Sequence, residues 1–266
     1  MSSNLQRYFS QRVKNIFNHL HDFELTGGEI PLHDLRVEMK KLKALLKFLR
    51  SVYGKQRTKK AKFLLDTIFQ QAGEIRELQI LVNWLTKHQL LHIEEQFFPG
   101  ETMQLKIAAF QQRAAIYKKD LQEIIECCSE LIDNTNTILA EQYIVQIRSS
   151  IEKILSKNPD KLEWHELRKI IKQWMYAINW IKPEDMPVTE NVFPFYNKLQ
   201  EAIGIWHDKE MIKGDLSKKQ IYLSQDFDVQ KDFGFAWNKI TQSIKYREKL
   251  VEEMLHNGNS EIAKQA

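Results

Sequence analysis

Glycine and proline are scarce in this chain, which has only 9 Gly and 6 Pro among its 266 residues. An average protein contains about 12% of these two residues together, roughly twice as much. Tight hairpins depend on Gly, Pro, Asn and Asp at defined positions, so a chain this poor in turn residues cannot form many of them. The composition therefore argues against an all-β sandwich or barrel and favours long helices.

Apolar residues recur at helical spacing almost throughout the chain. The pattern predicts an all-α fold with helices at about 4–23, 32–53, 56–72, 74–89, 102–132, 136–156, 162–181, 193–212 and 233–256. Gly54, an interruption near Gly73 and the segment 98–100 are predicted to separate helices. We expect 182–191 to be the longest loop, 213–232 to be a loop with one short helical turn, and 257–266 to be a disordered tail.

The net charge of +4 hides a strong segregation. Residues 33–62 contain eleven Lys/Arg and two acids, so this segment carries +9 and the rest of the chain −5. Between Glu38 and Asp66 there are ten basic side chains and no acidic one. Such segregation suggests an anionic partner that binds at one place, while the acidic remainder repels stray nucleic acid.

On a helix, the residues of segment 33–50 separate into four zones. Two zones are apolar, the main one formed by Leu35, Met39, Leu42, Leu46 and Leu49 and a weaker one by Val37, Ala44 and Phe48. The zone with Asp34, Glu38 and Lys41 has mixed charge and is expected to be solvated. The last zone, the first basic stripe, consists of His33, Arg36, Lys40, Lys43, Lys47 and Arg50.

The first basic stripe contains no acid, although like charges four residues apart on a helix repel each other. Apolar zones on both sides of it suggest that it lines a groove or cavity. Its length is about 25 Å at 1.5 Å per residue, which suits an extended polyanion better than a single phosphate group.

Two short blocks occur twice, in the same order. His33-Asp-Leu-Arg-Val-Glu-Met-Lys aligns with the block that starts at His165, and Gly73-Glu-Ile-Arg-Glu aligns with the block that starts at Gly204. This repetition predicts two half-repeats of about four helices each, at about 1–130 and 131–256. The second copy of the stripe is weaker, with His165, Arg168, Lys172, Met175, Asn179 and Lys182 at the matching positions.

These blocks resemble the signatures of the CHAD family, the conserved histidine α-helical domain. The first signature is similar to His33-x-Leu-Arg36-x-x-x-Lys40-Lys41-Leu-Lys43, and the later one to Gly73-x-x-Arg76-Glu77-Leu78. The blocks at His165 and Gly204 resemble the second copies, and the resemblance spans roughly residues 5–255. It implies two four-helix bundles, related by a pseudo-twofold axis, around a central basic cavity that binds inorganic polyphosphate without catalysis.

The stripe and the resemblance together predict one polyphosphate-binding set and no catalytic residue, metal ligand or cofactor. The set consists of His33, Arg36, Lys40, Lys43, Lys47, Arg50, Lys59, Lys62, Arg76, His165, Arg168, Lys172 and His207. Lys41 is matched by Gln173 and Lys43 by Met175, so we expect the second half to contribute less to binding. Arg76 and His207 are predicted either to orient phosphate or to cap a partner helix.

Three alternatives stay open. A phosphate-processing enzyme would need acidic Mg²⁺ ligands near the cations, and the chain has no Gly-rich phosphate loop. A nucleic-acid binder would add stacking aromatic residues, for which only Tyr53 lies near the stripe. A metal site would use the pair His88 and His92, or the two signature histidines, whose neighbouring cations would repel a divalent ion.

The chain has no stretch of about 18 apolar residues and no apolar secretory signal near its N-terminus. Its two cysteines, Cys127 and Cys128, are adjacent in sequence and fit a reducing compartment. We therefore expect a cytoplasmic location, with association with polyphosphate granules as one option, and no membrane partner. The sequence does not indicate an oligomeric state.

Overall fold

The computed structural model of the protein describes residues 3–98, 100–181 and 192–263, without the side chains of 221 and 258–263. These residues form ten α-helices and two short 3-10 helices, and no strand occurs among them, which confirms the all-α prediction. The α-helices are α1 (Asn4–Thr26), α2 (Glu29–Tyr53), α3 (Lys59–Lys87), α4 (Leu91–Phe97), α5 (Gly100–Gln112), α6 (Ala114–Asp133), α7 (Thr137–Leu155), α8 (Lys161–Ala177), α9 (Phe193–Lys219) and α10 (Phe227–Ala263). The predicted loop at 182–191 lies outside the described residues.

The predicted break near Gly73 is wrong, because α3 continues through it. Gly73 is buried in the middle of the helix, where it makes room for a neighbouring side chain instead of ending the helix. The single helix predicted at 102–132 is also wrong, since α5 ends before Arg113 and α6 begins after it. Neither Gly nor Pro marks this break, and the apolar spacing runs straight across it, so the sequence pattern carries no sign of it.

Three further boundaries differ from the prediction. Helix α4 was not predicted, and α9 extends to Lys219 because Ile212 and Leu216 bury one face of an otherwise polar run. The short 3-10 helix Gln220–Tyr222 and the start of α10 at Phe227 replace most of the predicted loop. The backbone of α10 is helical through Ala263, and the disordered tail expected from residue 257 stays a prediction.

The described residues divide into two compact units that do not coincide with consecutive halves of the chain. Unit 1 comprises 3–79, 101–146 and 173–181, and unit 2 comprises 80–98, 100, 147–172 and 192–263. In unit 1, α1 packs against α2 and α6, and α2 also packs against α6. In unit 2, α9 and α4 pack against α10. The half-repeat boundaries stay a sequence prediction.

Helix α2 is buried on two sides, as the two apolar zones predicted. Leu35, Met39, Leu42, Leu46 and Leu49 are all at most 3% exposed. On the weaker zone, Ala44 and Phe48 are buried, and the Phe48 ring lies 5.0 Å from the ring of Tyr143 and 5.3 Å from that of Trp180. Packing on both sides holds α2 in place and fixes the direction in which the first basic stripe points.

The zone of mixed charge on α2 is not the solvated face that the sequence predicted. Glu38 is only 5% exposed and forms ion pairs with Lys41 on its own helix and with Arg12 on α1. The Glu38 carboxylate tolerates burial because two cations offset its charge. The amphipathic pattern of α2 alone could not show this, because one of the two partners belongs to another helix.

None of the helices in the described ranges has the length and apolar character that crossing a membrane requires.

Candidate functional site

The first basic stripe lies along α2 on the side between its two buried faces. His33, Lys40 and Lys47 are exposed, and Arg36, Lys43 and Arg50 are half-buried. All six side chains belong to unit 1, as do the predicted site residues Lys59, Lys62 and Arg76 of α3. The structure therefore places nine of the thirteen predicted site residues in unit 1 and leaves His165, Arg168, Lys172 and His207 in unit 2.

Arg36 is held against α3 by three contacts. Its Nη1 donates a hydrogen bond to the carbonyl oxygen of Phe69 at 2.8 Å, and its guanidinium lies 4.3 Å from the centre of the Phe69 ring. A Cβ added at Gly73 would lie 2.8 Å from the same Nη1. Gly73 is therefore the residue that lets the guanidinium approach the α3 backbone.

Arg168 repeats this arrangement in unit 2. Its Nε donates to the carbonyl oxygen of Gln200 at 3.2 Å, and a Cβ added at Gly204 would lie 2.8 Å from that nitrogen. In both units the accepting carbonyl belongs to the residue four positions before the glycine. The internal duplication stays a prediction, and this shared geometry at the aligned positions supports it.

The close contact between Arg36 and Gly73 predicts that substitutions at these two positions have coupled effects on the free energy of unfolding. Gly73→Ala is expected to stabilise the Arg36→Ala variant by about 1 kcal/mol, because alanine favours a helix interior over glycine by that amount. In the wild-type background, Gly73→Ala should stabilise the protein by less than this amount or should destabilise it, because the new Cβ displaces the guanidinium of Arg36. Urea unfolding of the four proteins in this double-mutant cycle measures the coupling. Equal effects of Gly73→Ala in both backgrounds would contradict the role assigned to Gly73.

A histidine precedes each of these two arginines by three residues on the same helix. In unit 1, burial first and the charge of Arg76 second lower the pKa of His33. In unit 2, the rings of His165 and His207 are 4.2 Å apart, and burial, followed by the charge of His207, lowers the pKa of His165. In both histidines burial lowers the pKa more than the neighbouring positive charges do.

His207 occupies the position in unit 2 that Arg76 occupies in unit 1, three residues after the glycine. Burial lowers the pKa of His207 against an opposing effect of Asp208, and Arg168 lowers it further. Nδ1 of His165 is buried without a hydrogen-bond partner in the described part of the chain. Unit 2 therefore presents two neutral imidazoles where unit 1 presents one imidazole and a permanent cation.

Acidic side chains from other parts of the chain reach the predicted site, contrary to the prediction that the stripe excludes acids. Lys43 Nζ lies 2.6 Å from Asp66 of α3, and Lys62 also bonds to Asp66. Burial alone would raise the pKa of Asp66, but the hydrogen bonds from these two lysines hold it below its usual value. Arg76 similarly pairs with Glu29. Charge counting along α2 could not reveal Asp66, because α3 supplies it.

The C-terminal part of the stripe has a different environment. Lys47 donates to the side-chain oxygen of Gln173 at 2.7 Å, so α2 meets the C-terminal part of α8 within unit 1. Arg50 has no acidic partner among the residues that the structure describes. Lys59 is exposed one turn before Lys62, and no contact of its side chain with the stripe is seen in the described ranges. The stripe is thus more strongly cationic towards its C-terminal end.

Two residues at the site were missed by the sequence analysis. Phe69 lies under both Arg36 and Lys43, whose charged groups are 4.3 and 4.4 Å from its ring centre. Gln173, noted only as a weakened repeat position, supports Lys47. Tyr53, the residue considered for base stacking, instead bonds to Thr135 through its hydroxyl and has Arg57 over its ring at 5.5 Å. Its ring is therefore already in contact with a cation.

The two histidines considered as a metal pair have other contacts. His92 lies 2.9 Å from Asp232, and His88 packs edge-on against Trp84 with ring centres 4.8 Å apart. Over the described ranges, no three His, Cys, Asp or Glu side chains come together as metal ligands would.

Comparison with known proteins adds a family and a structural neighbour. The profile of the CHAD domain family matches residues 11–213, well over half of the chain. The fold is similar to that in a crystal structure of the CHAD domain from the plant Ricinus communis, with a TM-score of 0.72 at 17% sequence identity. That similarity covers 96% of this chain and 92% of the other. No curated protein matches the chain in sequence.

Proposed function

The chain belongs to the CHAD domain family, and from this premise we propose that it binds inorganic polyphosphate along the first basic stripe without reacting with it. The observation that supports this most is the row of cations on α2, which two buried faces hold in a fixed direction. Polyphosphate carries about one negative charge per phosphate in a flexible chain. A row of cations spaced along about 25 Å of helix suits such a ligand, since arginine can contact two oxygens and lysine acts as a point charge.

The charge balance also supports binding to an anion. Asp66 offsets only part of the positive charge of Lys43 and Lys62, because one carboxylate serves two lysines. Lys40, Lys47 and Arg50 add three further cations along the same face. Like charges that are held close together are stabilised when an anion neutralises them, and their counterions are released on binding.

Binding without catalysis is the simplest chemistry for this site. Enzymes that transfer or hydrolyse phosphate commonly use acidic side chains to hold Mg²⁺ beside the phosphate. Asp66 is the acid that meets the stripe at Lys43, and it is engaged by two lysines. Incubation of the purified protein with long-chain polyphosphate and Mg²⁺ should release no orthophosphate, and release that depends on intact stripe residues would assign the protein to the enzymes.

Because of these histidines, we expect the affinity for polyphosphate to depend on pH. The pKa of His33, His165 and His207 lies below the usual value in the free protein, so these side chains are neutral near pH 7. A bound phosphate beside an imidazole favours its protonated form, so binding takes up protons. Affinity for polyphosphate should therefore rise as the pH falls from 8 to 6.

Isothermal titration calorimetry across this range measures the effect, with His33→Gln of the stripe as the test variant and His19→Gln of α1 as the control. We expect His33→Gln to reduce the gain in affinity and His19→Gln to leave it unchanged. Polyphosphate itself also takes up protons over this pH range, but this contribution is the same for every variant and cancels in the comparison. An affinity that stays constant from pH 8 to 6 in the wild-type protein would contradict the role of the histidines.

The proposal is tested directly by binding of long-chain polyphosphate to the full chain. Nucleic acid, the main alternative, would use the same cations but gains from aromatic residues that are open to stacking. Phe69 and Tyr53 of unit 1 are both already in contact with cations. This favours polyphosphate, which needs no stacking surface.

A further inference from the structure

Unit 1 contains a cavity of about 410 Å³ that none of the predicted site residues lines. Its walls come from the N-terminal part of α1, from α2 and from the end of α8 with the turn that follows. The lining residues are Asn4, Arg7, Tyr8, Arg12, Lys41, Tyr176 and Asn179. A cavity of this volume falls in the range of small-molecule sites in proteins. It is too compact for the long polymer proposed above.

The lining is cationic and its charges are held in place. Arg7, Arg12 and Lys41 contribute three positive charges, and the nearest buried acid is Glu38. The Glu38 carboxylate lies 2.6 Å from Lys41 Nζ and 3.2 Å from Arg12 Nη1, so it fixes these two cations beside each other. One acid against three cations leaves a net positive charge in the cavity.

The Arg12 and Lys41 side chains are 17% and 23% exposed, respectively. At this degree of burial, charge interactions are screened less than at a fully exposed surface. Each of the two cations retains donors beyond the one that it gives to Glu38, because an ammonium group has three donors and a guanidinium has five. A bound anion could therefore accept hydrogen bonds from both without displacing Glu38.

The cavity and the first basic stripe lie on different sides of α2. At 100° per residue, Lys41 projects roughly 130° around the helix from the centre of the stripe. Helix α1 packs against α2 and contributes Arg12 to the buried ion pairs with Glu38. A ligand in the cavity would thus contact a different set of cations from a polymer on the stripe.

We propose that this cavity is a second anion site, which binds a compact phosphate compound with two or more negative charges. The net positive charge recognises the phosphate, the volume sets the size limit, and Glu38 positions Arg12 and Lys41 for it. The site does not depend on polyphosphate binding along the stripe. Inorganic pyrophosphate and the phosphate ester of a small organic molecule share the required chemistry.

Calorimetric titration of the full chain tests the proposal, with pyrophosphate and ribose 5-phosphate as separate probes. The titration is made in the background Lys40→Gln, Lys47→Gln and Arg50→Gln, which removes stripe cations. We expect at least one probe to bind with a 1:1 ratio in this background. Lys41→Gln added to it should weaken that binding about tenfold, as expected for loss of a hydrogen bond between charged groups.

Two more variants make the test depend on the sign of the charge. Arg7→Gln should weaken the binding several-fold. Glu38→Gln should strengthen it, because glutamine keeps an oxygen that accepts hydrogen bonds from Arg12 and Lys41 but removes the negative charge beside them. Thermal unfolding checks that each variant folds. If Glu38→Gln does not fold, the results for Lys41→Gln and Arg7→Gln decide the test. The proposal is overturned if neither probe binds at millimolar concentration, or if Lys41→Gln leaves the dissociation constant within twofold. Loss of all pyrophosphate binding in the stripe-deficient background, with ribose 5-phosphate also inactive, would assign phosphate binding to the stripe alone.

Discussion

Replacement of Lys40, Lys47 and Arg50 by glutamine is expected to weaken the binding of long-chain polyphosphate by about a hundredfold. These residues lie along the solvent-facing side of α2, and Lys40 and Lys47 are exposed. A contact between a solvated cation and a phosphate contributes about 1 kcal/mol, less than a buried charged hydrogen bond because water screens it. Three such contacts correspond to roughly a hundredfold in the dissociation constant.

Arg36 is left intact in this variant because it has a structural role. Its contacts with Phe69 and Gly73 tie α2 to α3, so its removal would mix loss of binding with loss of stability. Lys47, by contrast, bonds to a side chain, that of Gln173, and we expect the thermal unfolding temperature of the triple variant to change less than that of Arg36→Ala.

The salt dependence of binding provides a second readout of the same variant. Each phosphate neutralised on a single-stranded polyanion contributes about −0.7 to the slope of log K against log salt concentration. The triple substitution should therefore make the slope less negative by about 2. The control replaces the exposed residues Lys14, Lys119 and Lys157, which removes the same charge away from the stripe. If the control weakens binding as much as the stripe variant, binding reflects net charge and the stripe assignment is wrong.

Asp66→Asn is expected to strengthen polyphosphate binding by roughly fivefold to tenfold. Asp66 bonds to Lys43 and Lys62, so it competes with the ligand for two cations of the predicted site. Asparagine keeps the size of the side chain but removes its charge, which releases both lysines and adds one unit of positive charge to the site. This gain corresponds to about 1 kcal/mol for a charge partly exposed to solvent.

The matched control for Asp66→Asn is Glu130→Gln. Glu130 pairs with Arg57, which is not part of the stripe, and the substitution changes the net charge by the same amount. Titration of both variants with long-chain polyphosphate separates local from global charge. We expect Glu130→Gln to stay within about twofold of the wild-type protein. Equal or weaker binding by Asp66→Asn would mean that Lys43 and Lys62 do not contact the ligand.

Amphipathic spacing was enough to predict α2 and its two buried faces. Leu35, Met39 and Leu42 are buried where the period of 3.6 residues places them, and the basic residues follow on the remaining side. The helical class and most helix positions could be predicted for the same reason. Gly73 was wrongly predicted to interrupt a helix. The reason for a glycine at this position is the close approach of Arg36, which lies more than 30 residues earlier in the chain.

The parts of the site that sequence could not provide all depend on contacts between helices. Asp66 comes to Lys43 from α3, Arg12 comes to Glu38 from α1, and Gln173 comes to Lys47 from α8. A pattern read along one helix assigns charges to faces, but it cannot show which acid neutralises which cation. The cavity beside Lys41 could not be predicted from α2 alone. Six of its seven lining residues belong to α1, to α8 and to the turn after α8.

Binding of long-chain polyphosphate to the full protein in competition with single-stranded nucleic acid is the most direct test of polyphosphate binding. A fluorescent polyphosphate should bind with an affinity that falls steeply with salt, and an equal charge concentration of single-stranded DNA should displace it poorly. Unlabelled polyphosphate should displace it fully. Displacement by DNA that equals or exceeds displacement by polyphosphate would contradict the account and assign the stripe to nucleic acid.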